Sequence, residues 1–142
     1  MPCEGCAPGY RSPVEMSEAV DEARVLLGEG AHGRTLWRHT VLQLLDDYES
    51  ARKHGRDSVS VVRTRPELTG DRRVDAALAG LVEHLALRDG WQPPVWVDEP
   101  GRDGGGWLVS GIPAFRRQAE EETPPAFRKH GVLITAGALE RA

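Results

Sequence analysis

Cys3 and Cys6 stand in the tetrad Cys-Glu-Gly-Cys, the spacing of a metal knuckle or of a redox dithiol. A structural zinc ion needs about four ligands, and the histidines offer no second pair at knuckle spacing. His32 and His39 are seven apart, and His54, His84 and His130 each stand alone. A redox dithiol opens a helix whose N-terminus stabilises the thiolate, whereas Ala7-Pro8-Gly9 follows here. The tetrad therefore reads as part of a flexible tail over 1–11 that holds no structural metal.

Acid–base chemistry finds equally little footing. Glu83 and His84 are adjacent, and neighbours on a helix point about 100 degrees apart, so they read as two solvated residues. Asp46 and Asp47 read as plain surface for the same reason. Glu120, Glu121 and Glu122 read as the solvated end of a short helix, a face that would suit a basic partner. No Gly-x-Gly-x-x-Gly, Gly-Lys-Ser/Thr, His-Glu-x-x-His or nucleophile elbow occurs. The expectation is a non-enzymatic protein with no catalytic residue, no cofactor and no metal.

One stretch could meet phosphate. Between residues 52 and 73, the seven basic residues Arg52, Lys53, Arg56, Arg63, Arg65, Arg72 and Arg73 face only Asp57, Glu67 and Asp71. Neutralising phosphates releases counterions and adds affinity that ignores base sequence. Against this, the whole chain carries a formal charge of -4, which opposes steering toward nucleic acid. A helix-turn-helix is also missing, because residues 28–34 are too long a connection for its turn. The plainer reading is an arginine-rich loop balancing acidic helices. A nucleic-acid-binding regulator and a small enzyme without a recognisable motif stay open as alternatives.

The elements that must carry these groups are mostly helical. Ser12-Pro13-Val14-Glu15 forms a capping box that predicts a helix from about Pro13 to Leu27, with Met16, Ala19, Val20, Ala23, Leu26 and Leu27 on one face. Trp37, Val41, Leu44, Leu45 and Tyr48 predict a second helix over roughly Thr35 to Lys53. Val59, Val61 and Val62, alternating with Ser58 and Ser60, suggest a short strand. Asp71 then caps a third helix, about Arg72 to Arg88, that ends at Gly90.

From Trp91 onward periodicity fades and proline punctuates the chain. Pro113 predicts a short helix through Phe115 and Ala119, and Thr123 is placed to cap another that holds Ala126 and Phe127. Val132-Leu133-Ile134 reads as extended across the core, with Thr135 capping a last turn around Leu139. Trp96 and Trp107 read as core pins, because a single domain with 6% aromatic residues needs them for adequate burial.

The segments His84-Leu85-Ala86, Arg88, Gly90, Pro94-Val95-Trp96-Val97, Trp107 and Pro125 to Ile134 together resemble a group of small uncharacterised actinobacterial proteins. The resemblance covers roughly Gly70 to Ala142. Some members of that group are encoded beside nucleotidyltransferase-like toxins of the AbiEii or MenT kind, or carry an added helix-turn-helix. It therefore implies an antitoxin or regulatory role, and it brings no catalytic residue with it. This chain has two helices and the Cys tail where such a helix-turn-helix would stand.

The sequence thus predicts one mainly α domain over 1–142. A tail over 1–11 leads into a three-helix bundle over 12–90, capped by an irregular Trp- and Pro-rich section over 91–142 with short helices and at most one short strand pair. No apolar run reaches the ~18 residues that span a bilayer, and the opening MPCEGCAPGY has neither a basic nor an apolar signal region, so a cytoplasmic location is expected. The expected activity is binding a protein partner, which the resemblance makes nucleotidyltransferase-like. Hot spots are aromatic or arginine anchors, and Trp91, Phe115, Arg116 and Arg117 are those least demanded by a core.

Overall fold

Asp71 starts the longest helix of the molecule. Its carboxylate accepts the backbone N–H groups of Arg73 and Val74 at 2.8 and 3.3 Å, and Gly90 stops the helix in the left-handed conformation at φ 77°. The computed structural model describes residues 16–31 and 33–140. The Cys3/Cys6 tetrad and the Ser12-Pro13 capping box lie outside the described residues.

The molecule is mainly α, as expected. The central helix α5 (Arg72–Asp89) is buried on almost every side from Val74 to Ala86. A helix apolar all round is a core helix. Around it lie α1 (Met16–Gly28), α2 (Arg34–Leu36), α3 (Gln43–Lys53), α4 (Val59–Arg63), α6 (Arg116–Glu122) and α7 (Pro125–Lys129). One cluster of buried side chains runs from Met16 through Trp37, Leu44, Leu78 and Leu81 to Trp96, Phe127 and Ile134. The bundle and the Trp- and Pro-rich section therefore share a core.

Residues 34–53 are one continuous helical run, but its middle, Trp37–Leu42, is a π-turn. The extra residue per turn rotates the buried face, so Leu36, Thr40 and Leu42 join Trp37 and Val41 inside. Among the described residues the Thr40 hydroxyl, buried there, has no hydrogen-bond partner. Helices α3 and α5 are tied at their ends, where Tyr48 donates its hydroxyl to Asp89 at 2.6 Å and Arg52 and Arg88 pair with the same carboxylate.

Two local expectations are corrected. The valine stretch is helical, not extended: Ser60 donates to the Asp57 carbonyl at 2.7 Å, closing a turn that buries Val61 and Val62. Burial against the bundle outweighs the β preference of branched side chains. Thr123 does not cap α7, which starts after Pro124. Its hydroxyl instead bridges the backbone of Ala119 and Ile134, holding the chain after α6 against the last extended segment. That segment contains β2 (Val132–Leu133), which pairs in parallel with β1 (Trp107–Leu108), Trp107 opposite Val132. Among the described residues no helix is long and apolar enough to cross a membrane.

Candidate functional site

The π-turn forms one wall of an open groove of about 690 Å³. Trp37 lies along its inner side, held by an indole N–H donated to the Ala138 carbonyl at 3.0 Å and by ring contacts to Trp107 and Phe127. Leu42 continues the apolar surface, and Leu108, Val109, Leu133 and Ile134 supply the opposite wall from the strand pair. Pro113 starts a 3-10 turn, Pro113–Phe115, that presents Phe115 at the rim. Phe115 is 42% exposed and Ile112 41%, both bordering the groove.

The groove is cationic in an acidic chain. Arg34, Arg38 and His39 line it, and among the described residues Glu140 is its single acidic lining residue. A second cleft of about 820 Å³ shares Arg34, Thr35, Leu108, Val109 and Ser110 with the first, and adds Arg73 and Glu29. Among the described residues of this arrangement no nucleophile is set against a base. What it offers is a concave apolar surface with arginine side chains along one wall.

Comparison with protein-family models, with curated proteins and with solved structures finds no match to this chain.

The expected anchors are separated by the fold. Phe115 lines the groove, while Arg116 and Arg117 follow on the exposed face of α6, near Glu120 and Glu121 at 3.8 and 3.6 Å. Trp91 is elsewhere: its indole donates to the Tyr48 hydroxyl at 3.0 Å and its ring packs on Tyr48. There it packs at the junction of α3 and α5, away from the groove. Trp96 is buried as a core pin, and Trp107 is half-buried against Trp37.

The basic stretch does not gather into one surface of uncommitted cations. Arg52 is paired with Asp89 at 3.1 Å, Arg65 with Glu99 at 2.9 Å, and Arg72 donates to the Asp103 carbonyl at 2.7 Å. Lys53 and Arg63 are exposed, and Arg73 borders the second cleft.

A polar cluster that the sequence reading missed lies where α5, α7 and the 3-10 turn Val95–Asp98 meet. Glu83 is not solvated but 8% exposed, and His130 is 3% exposed. Lys129 bridges Glu83 and Asp98 at 2.9 and 2.7 Å, and these contacts, Asp98 first, hold its ammonium above the usual lysine range. His130 places Nε2 3.2 Å from Glu83 Oε1 and Nδ1 2.7 Å from the Arg102 carbonyl. Arg102 is itself buried, stacked over Trp96 and bonded to Glu99 and the Pro66 carbonyl. His130 is thus not isolated. Its partner Glu83 is 47 residues away in sequence, a separation at which spacing carries no signal. His84 packs its ring on Phe127, and burial pushes it below the usual histidine range. Asp47, expected at the surface, is buried beside Gln43.

Proposed function

We propose that this chain is a non-enzymatic protein-binding module that takes an apolar, acid-flanked segment of a partner into the groove between the π-turn and the strand pair. The observation that carries the reading is the pair of half-exposed apolar side chains, Ile112 and Phe115, at the rim of a groove backed by Trp37. Exposed aromatic anchors beside a concavity are what interface hot spots use. Arg34 along the same wall favours acidic groups flanking the anchor. The resemblance of residues 70–142 to small proteins encoded beside nucleotidyltransferase-like toxins supports an antitoxin or regulatory partner of that kind.

The test is co-expression with the product of the neighbouring gene. The wild-type chain retains that protein through purification, and Phe115→Ala and Arg34→Glu each release it while leaving the far-ultraviolet spectrum unchanged. Equal retention by all three chains overturns the assignment of the groove.

A further inference from the structure

Glu83, Asp98 and His130 come from three elements, yet each offers a ligand atom, and these atoms lie within 4.8 Å of one another. The tautomer of the neutral histidine follows from its neighbours. Nδ1 lies 2.7 Å from the Arg102 carbonyl oxygen, which only accepts, so Nδ1 carries a proton. In the neutral ring Nε2 is then a bare lone pair. It faces Glu83 Oε1, a second acceptor, at 3.2 Å. Two acceptors that close repel unless something positive lies between them. Lys129 does not donate to the ring; its ammonium bridges the two carboxylates.

A buried imidazole with Nδ1–H pinned on a backbone carbonyl and Nε2 turned toward carboxylates is the orientation of a metal-bound histidine. We propose that Glu83, Asp98 and His130 form a three-ligand site for a divalent cation of the zinc type, and that the Lys129 ammonium is a resident cation the metal displaces. One imidazole nitrogen and two carboxylate oxygens suit zinc, with a fourth position left to water. Bonds of about 2.1 Å at tetrahedral angles put ligand atoms about 3.4 Å apart, so the site closes by little more than about 1 Å. Asp98 can supply that movement, because its side chain is 62% exposed at the rim. Lys129 is 52% exposed and can swing into water. The two carboxylates then balance the metal charge. Arg102, fixed by Glu99 and Pro66, keeps the carbonyl that orients the ring in place.

The proposal is independent of the groove and is tested on the full chain with Cys3→Ser and Cys6→Ser, which removes competing thiols. Zinc chloride is titrated in by calorimetry near neutral pH. The expected result is saturable binding of zinc that tightens about tenfold or more in Lys129→Met, through loss of the competing ammonium, and disappears when Glu83→Gln is added. On zinc loading, the ring Nε2 resonance of His130 shifts while that of Nδ1 keeps its proton. A folded Lys129→Met chain without saturable heat overturns the proposal, as does heat unaffected by Glu83→Gln. If Lys129→Met does not fold, the parent chain decides alone. A His130 Nε2 resonance that carries a proton and ignores millimolar zinc shows a proton shared with Glu83, and no metal site.

Discussion

A Cβ on residue 80 would lie 2.8 Å from Cδ1 of Phe127 and 3.4 Å from its Cα, so α5 and α7 meet through bare backbone at Gly80. Glu83 follows Gly80 by three residues, as His130 follows Phe127, and the close approach sets these two side chains opposite each other. In Gly80→Ala the better helix propensity, worth about 1 kcal/mol, is opposed by an overpacking cost of about 1 to 3 kcal/mol. Denaturant melts should show a net loss of up to about 2 kcal/mol. A raised midpoint would mean that the Phe127 ring yields without cost.

Trp96→Ala should destabilise by about 3 to 5 kcal/mol, since it empties a core position and leaves the Arg63 carbonyl and the Arg102 guanidinium without the indole. Phe115→Ala should leave the melting temperature within a few degrees while weakening the partner by about 2 kcal/mol. If Phe115→Ala unfolds the chain, the rim of the groove is part of the core and binding must lie elsewhere.

Thr40→Val should raise stability by about 1 kcal/mol, because it replaces a buried hydroxyl lacking a partner with a methyl group of the same shape. Thermal and urea unfolding measure this directly. A loss in both would indicate that the hydroxyl is satisfied, for instance by a trapped water.

Asp89 gives the fold an acid limit. The Arg88 guanidinium, with help from the Tyr48 hydroxyl and Arg52, holds its carboxyl at about 2, down from the ordinary 3.8. A depressed folded value means that the stabilisation is complete above the unfolded value and is lost as pH falls toward the folded one. The loss should fall between about pH 4 and about pH 2 and be on the order of 2 kcal/mol. Asp89→Asn should lower stability at neutral pH and flatten this limb. Parallel curves for wild type and variant would place the acid sensitivity in other carboxylates.

Helix α5 was readable in the sequence because its signals are local: Asp71 caps it, apolar residues recur at helical spacing, and Gly90 stops it. The short parallel strand pair was visible only as an apolar run too short to be exposed, since its register depends on Trp107 meeting Val132 across the fold. Helix α4 was missed because branched residues favour strands until burial of Val61 and Val62 decides otherwise. The π-turn has no sequence mark at all. Phe115 was expected outside the core and is exposed at the groove, whereas the contact of Trp91 with Tyr48, 43 residues away, leaves no signal in the sequence. Glu83 and His130 were read as separate for the same reason, as their neighbourhood is created by the contact at Gly80.

Helix α6 sinks only Ala119 into the protein, while Arg116, Arg117, Gln118, Glu120 and Glu121 face water. Sequence drift along this helix is therefore nearly invisible to folding. Selection on partner choice can rewrite its charges, and the aromatic rim just before it, without risking the scaffold. Chains of this architecture could diverge quickly in what they bind while remaining alike in how they fold.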